Sequence, residues 1–324
     1  MNRKRWIAVA VFVALLFVQM AATPPAATDW RKAGTDWMVE VYQDGGADQI
    51  ALLELKGEII DGANAGLFSI PVYNHQNFLS QLEHAFASPE VKGIVMHVNS
   101  PGGGVFESDE IHQEIVRLKE EYNKPFVVYM GRVAASGGYY ISAPADKIFA
   151  NRNTLTGSIG VIISGLNIKE LMDNYGVKDQ TFTSGPNKAL MSPYDDMTDE
   201  QNAIVQSIVD ESYQFFVDVI VAGRGLERER VLEIADGRIY TGSQAQQVGL
   251  VDELGILEDA IEEVATMAGV VDPTVITFTV DEWAQFRKMF YSSPSLSTLF
   301  RGINPMEQLA PLTNQPSLLY LWHW

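Results

Sequence analysis

The residues best suited to chemistry fall at two junctions where an apolar run gives way to a helical pattern. The first run, Gly93 to Val98, ends in Asn99-Ser100-Pro101-Gly102-Gly103-Gly104. Consecutive glycines let the backbone approach a bound group closely and leave amide N–H groups pointing into one space, a nest for an anion or oxyanion. A tight turn would account for them as well. No Gly-Lys-Ser/Thr follows, so this is not a phosphate-binding P-loop, and the spacing is not that of a dinucleotide fingerprint. The second run, Phe126 to Met130, leads to Ala134-Ala135-Ser136-Gly137-Gly138-Tyr139-Tyr140. A serine between small residues where a strand turns into a helix can lift its hydroxyl above the sheet, with the next amide free to donate, a relative of the nucleophile elbow. A helix dipole beginning there favours negative charge on the attacking oxygen. The same position equally suits an ordinary serine N-cap.

A serine nucleophile needs a base. The histidines are His75, His84, His97, His112 and His323, and none is paired in sequence with an obvious orienting acid at a strand end. Lysine is the other base available: burial among apolar groups lowers its pKa until the neutral amine can accept a hydroxyl proton. Lys188 has the most suggestive setting, in Ser184-Gly185-Pro186-Asn187-Lys188-Ala189-Leu190-Met191-Ser192-Pro193, with apolar neighbours and no acid within five residues. Its burial is an expectation from those neighbours. Thr156-Gly157-Ser158-Ile159-Gly160-Val161 supplies a further hydroxyl at another strand start, able to orient a neutral amine.

The elements that must carry these groups alternate in the α/β manner. Strands are expected at Gln49 to Ile60, Gly93 to Val98, Phe126 to Met130, Lys147 to Ala150, Val161 to Ile163 and Gln180 to Thr183. Several are continuous apolar runs, as for a sheet covered on both faces. Helical patterns lie between them, at Gln76 to Phe86, Glu107 to Glu121, Gly137 to Ser142 and Ile168 to Tyr175, which implies parallel strands with right-handed crossovers. From Thr198 the chain turns helical: Asp199 to Val221 opens on a capping box of Thr198 and Gln201, then come Glu227 to Ala235, Ser243 to Val248 and Leu257 to Ala268. A short β-like run, Thr274 to Val280, precedes an aromatic-rich tail ending Leu321-Trp322-His323-Trp324.

The chain has 324 residues, enough for one large domain or two small ones, with 41 acidic against 23 basic side chains. A formal charge of −18 argues against a nucleic-acid partner, which needs a clustered basic surface. With no cysteine there is no disulfide framework, thiolate nucleophile or Cys-ligated metal. Arg3-Lys4-Arg5 precedes an apolar run from Trp6 to Ala22, seventeen residues long. That is longer than a usual signal-peptide core of ~7 to 15 residues, and the cleavage candidates near Ala22, Ala26 and Ala27 put Met20, Pro24 or Pro25 at the small-residue position. The run therefore reads as an uncleaved anchor with its N-terminus in the cytoplasm and the rest of the chain outside. The expected organisation is anchor and linker over 1–27, a main domain over 28–271, and a tail of open role over 272–324.

Taken together, these pieces resemble the membrane-anchored signal peptide peptidase A family, serine-lysine peptidases of the ClpP and crotonase-like superfamily. The resemblance rests on Asn99 to Val105 (NSPGGGV), Ala134 to Tyr140 (AASGGYY), Leu155 to Val161 (LTGSIGV), Ser184 to Pro193 with its lysine, and Asp236 to Gly255 (DGRIYTGSQAQQVGLVDELG). It covers roughly 48–268, in order and with family-like spacing. It implies a ClpP/crotonase-like α/β sheet core with surrounding helices, preceded by one transmembrane helix. It further implies Ser136 as nucleophile, Lys188 as general base, Ser158 as the hydroxyl that holds the lysine amine, and the backbone N–H groups of Gly103 and Gly137 as oxyanion hole. No metal or cofactor is implied. The chain is of the family's short kind, for which the resemblance implies a homo-oligomer, a ring or dome of about eight subunits with serine and lysine supplied by neighbouring protomers. Implied substrates are remnant signal peptides and other unstructured segments at the membrane. Two other readings compete: an inactive anchored scaffold that binds peptides, and crotonase-like acyl-CoA chemistry on the same fold. The second is disfavoured by an outward-facing domain and by the unexplained Ser/Lys pair.

Overall fold

The computed structural model describes residues 37–61, 73–280 and 319–321, all within one unit, Asp36–Trp324. The expected anchor, residues 1–27, lies outside the described residues. Among those described, no helix is long and apolar enough to cross a membrane.

Among the described residues the framework is a nine-stranded sheet. Its main path runs β1 (Trp37–Gln43), β10 (Thr274–Val280), β2 (Gln49–Lys56), β3 (Val91–Ser100), β5 (Phe126–Ala135), β6 (Lys147–Ala150) and β9 (Glu253–Leu254). From β10 to β9 every pairing on this path is parallel, and β1 closes one edge antiparallel to β10. β7 (Leu155–Gly157) branches off parallel to the end of β5, and β8 (Ile239–Thr241) pairs antiparallel to β7. A two-stranded pair stands apart, β4 (Gly102–Gly104) with β11 (Leu319–Leu321). β10 comes from residues placed in the tail by the sequence reading, yet it lies inside the sheet between β1 and β2.

Continuous apolar runs make these strands because both faces are covered. Along β2 and β3 alternate side chains go to opposite cores. Leu53, Leu55, Met96 and Val98 join a large cluster with helices α1 (His75–Ala87), α2 (Val105–Tyr122) and α5 (Asp199–Arg224). Ile50, Leu52 and Val95 join a smaller one under α8 (Leu257–Ala268). Removing one such buried Leu or Ile would cost about 2–5 kcal/mol, transfer and cavity together. The remaining helices are short: α3 (Gly137–Tyr140), α4 (Lys169–Asn174), α6 (Arg228–Ile234) and α7 (Gly242–Gln247).

The capping box of α5 forms as expected, with Gln201 N–H donating to Thr198 Oγ1 at 3.2 Å and Thr198 N–H to Gln201 Oε1 at 3.0 Å. Only the C-terminal half of this helix is buried, through Ser212, Phe216, Val217, Val219 and Ile220. Two expected strands do not form. Neither Val161–Ile163 nor Gln180–Thr183 belongs to a strand of the sheet, and no residue from 160 to 211 is buried. A β-rich run becomes a strand only when a neighbour satisfies its ladder, and this segment has left the sheet to form an arm with α4 and the first half of α5.

Candidate active site

Ser136 follows β5 and precedes α3 with φ 54° and ψ −119°. For a residue with a Cβ this backbone is strained, costing about 1–3 kcal/mol, and such strain persists only where the surroundings enforce it. Ser136 N–H donates to Gly157 O at 2.7 Å, and its carbonyl accepts from Tyr139 and Tyr140 N–H at 2.9 Å each. The turn that follows is anchored on both tyrosines: Tyr139 Oη donates to Leu250 O at 2.9 Å and Tyr140 Oη to Asp109 Oδ1 at 2.7 Å. Although Ser136 occupies the N-cap position, its side chain makes no capping hydrogen bond. Capping therefore does not explain this serine.

The glycine run crosses directly beside it. Ser100 Oγ accepts from Gly102 N–H at 3.1 Å, and Gly102 adopts φ 101°, so the chain kinks at Pro101 and continues as β4 in the same direction, parallel to Ile59. One side of β4 is held by Ile59, whose N–H donates to Gly102 O at 2.9 Å and whose carbonyl accepts from Gly104 N–H at 2.8 Å. The other side pairs antiparallel with β11, placing Leu319 opposite Gly104, Tyr320 opposite Gly103 and Leu321 opposite Gly102. The two glycines singled out from the sequence are brought together. A Cβ on Gly137 would lie 3.2 Å from Gly103 N and 2.5 Å from Ser108 Oγ, and one on Gly103 would lie 2.1 Å from Ile59 O. Backbone already fills the space at Gly103, and at Gly137 a side chain would press on the Ser108 hydroxyl and crowd the Gly103 amide.

Ser158 follows Gly157 on β7 with φ 49° and is buried at 9% exposure. Its N–H donates to Arg238 O at 2.8 Å. Gly157 has φ 81°, and a Cβ there would meet Tyr240 Cδ2 at 2.6 Å, so this turn also depends on its glycine.

Lys188 is placed differently from expectation: within the single chain it is exposed. Its segment bends back on itself through Lys188 N–H to Gly185 O at 3.2 Å and is tied to the start of α5 by Gln201 Nε2 donating to Pro186 O at 2.7 Å. Apolar neighbours in sequence do not bury it, because the arm carrying them has no core of its own.

The four described histidines are engaged elsewhere. His75 sits between Tyr73 Oη at 2.5 Å and Glu110 Oε2 at 2.7 Å. His84 packs on Trp37 and Phe278, with ring centroids 5.2 and 5.8 Å away. His97 faces Glu54 at 3.6 Å. His112 lies edge-on to Tyr140 with centroids 5.3 Å apart, and burial keeps its pKa low. His323 lies outside the described residues.

Comparison with known proteins shows the family. The family model described as Peptidase family S49 matches residues 119–271. A protein of Enterococcus faecium that bears the name signal peptide peptidase SppA is 41% identical over 343 residues, spanning 99% of this chain and 99% of its own length. The chain belongs to the signal peptide peptidase A family. Protease 4 of Haemophilus influenzae is 32% identical over 276 residues, which cover 83% of this chain and 43% of that longer protein. The chloroplastic serine protease SPPA of Arabidopsis thaliana is 32% identical over 220 residues, 67% of this chain and 32% of its own length. Membership makes the protein a peptidase of family S49.

Sequence reasoning missed two residues next to the site, Thr154 and Thr156, buried at 1% and 0% exposure beneath the approach to Ser136. Thr154 lies just before β7 and Thr156 on it, and a spacing of two in extended chain, which puts both on one face, was the available signal.

Proposed function

We propose that the protein is a membrane-anchored serine endopeptidase that degrades remnant signal peptides and other unfolded segments through an acyl-enzyme on Ser136. The observation that carries the reading is the strained, uncapped Ser136 beside the paired glycines Gly103 and Gly137. In the reaction, neutral Lys188 takes the Ser136 proton as Oγ attacks the peptide carbonyl. The N–H groups of Gly103 and Gly137 stabilise the tetrahedral oxyanion. Lys188 then hands the proton to the leaving amine as the C–N bond breaks. Water, deprotonated by the same lysine, hydrolyses the ester and restores the serine. Ser158 holds the amine in place.

Lys188 exposed in one chain fits a lysine supplied to a neighbour's serine, where the contact itself would desolvate it. The arm that bears it exposes Leu166, Leu171, Tyr175, Val177 and Phe182, the last at 96%. Such a surface suits packing against further copies in a ring, with the anchor of residues 1–27 holding the assembly on the outer side of the cytoplasmic membrane. Extended chain suits the site because β4 already takes up a strand along one edge, the mode of strand addition.

The test uses the full chain in detergent, comparing wild type with Ser136→Ala and Lys188→Ala on a synthetic signal peptide, with size-exclusion chromatography on each. Both variants are expected to assemble and to lose activity by at least about 10³-fold. An assembled wild type that cuts nothing and takes no serine-directed phosphonate would replace this reading with a peptide-binding scaffold.

A further inference from the structure

We propose that Asn99, Thr154 and Thr156 are positioning residues that set where the Ser136 hydroxyl stands, an inference that rests on Ser136 being the nucleophile. β3 and β5 pair in register as far as Val98 with Met130, then resume with Ser100 opposite Ala134. Asn99 alone on β3 thus faces Gly131, Arg132 and Val133 on β5. A bulge of this kind bends its strand and frees ladder groups from their partners. Here it also changes the strand's neighbour: Val127 to Met130 pair with β6, whereas Val133 to Ala135 pair with β7. The three residues leading into Ser136 therefore follow β7, and the bulge decides their path.

Side chains hold that bulge at both ends. Val133 N–H donates to Asn99 Oδ1 at 3.2 Å. The Thr154 hydroxyl donates to Gly131 O at 2.7 Å, with Met130 O also near at 3.2 Å. The Thr156 hydroxyl donates to Ala134 O at 2.5 Å, two residues before the serine. Both threonines are buried, so no water replaces a lost hydroxyl without a rearrangement. Gly131 lets the bulge form, since a Cβ there would lie 2.8 Å from His97 Nε2. A nucleophile misplaced by about 1 Å loses about 10²-fold in rate, and these bonds are what hold the approach to Ser136 within that tolerance.

The experiment measures kcat and KM on a synthetic signal peptide, together with the rate at which a fluorophosphonate labels Ser136, in the full-length protein. Thr154→Val and Asn99→Ala remove a bond; Thr154→Ser and Asn99→Asp keep it. The first two are expected to lower kcat and the labelling rate by about 10- to 100-fold, with KM within about threefold and the melting temperature showing a folded protein. The second two are expected to recover most of the loss. Wild-type labelling in Thr154→Val overturns the proposal, as does a Thr154→Ser that stays as slow as Val, which would assign the effect to packing of the methyl group. Should Thr154→Val fail to fold, Asn99→Ala, at a half-buried position, decides the matter in the same way. Absence of labelling in the wild type would instead remove the nucleophile reading and this proposal with it.

Discussion

Gly137 has no room for a side chain: a methyl group would press on Ser108 Oγ at 2.5 Å and on Gly103 N at 3.2 Å. Gly137→Ala is expected to lower kcat by about 10²-fold or more by spreading the two amides, with KM little changed. Adding Ser108→Ala relieves the nearer clash alone; full recovery in the double variant would show that amide spacing is not what the glycine protects. A second residue-scale effect concerns Glu54. Its carboxyl is held down at about 2, first by the His97 imidazole and then by Lys56, while partial burial opposes the shift. The pairs are His97 Nδ1 to Glu54 Oε1 at 3.6 Å, an ion-pair distance rather than a hydrogen bond, and Lys56 Nζ to Glu54 Oε2 at 2.6 Å. A lowered carboxylate stabilises the fold above its unfolded pKa of 4.5 and loses that contribution as pH falls toward about 2. The carboxylate is more than a third exposed, so screening keeps the effect small. The urea midpoint of wild type is therefore expected to exceed that of Glu54→Gln at pH 5.5 and to converge on it near pH 2; a constant gap would contradict the linkage.

At the scale of elements, continuous apolar runs could be read directly, because burial on both faces leaves no alternation to confuse. That holds for β2, β3, β5 and β6. β1 was not legible: Met38, Val41 and Tyr42 on it are exposed, and only its pairing with β10 makes it a strand. β4 was illegible for another reason, since three glycines carry no strand propensity, and Ile59 on one side with β11 on the other creates the ladder. Gln180 to Thr183 erred in the opposite direction, with strand-like residues that meet no partner. The β4–β11 pairing carries its own prediction. A substrate added as a strand on that edge must displace β11, so a chain ending at residue 318 is expected to show a KM several-fold lower with kcat unchanged. Equal KM values for the two chains would show that substrate does not use this edge.

For the whole molecule, the question is what the exposed arm of residues 160–211 meets. If serine and lysine of one site come from neighbouring copies of a ring, Ser136→Ala and Lys188→Ala protomers mixed one to one should recover about a quarter of wild-type activity, the chance that an intact serine sits beside an intact lysine. No recovery after subunit exchange would place both residues in one chain. If the arm packs against such copies, Phe182→Ser with Leu171→Ser is expected to shift the protein toward monomers and to lose activity in proportion. The sequence by itself determined the α/β alternation, the main core strands, the capped helix α5 and the motifs around Ser136 and the glycine run, because hydrophobic period, capping chemistry and turn residues act over a few positions. Only the tertiary structure decided that β10 enters the sheet between β1 and β2 and that Gly103 lies against Gly137. It alone set the bulge opposite Asn99 and left Lys188 in solvent. Those outcomes depend on strand register and on burial between residues far apart in the chain, and neither quantity is written in any local pattern.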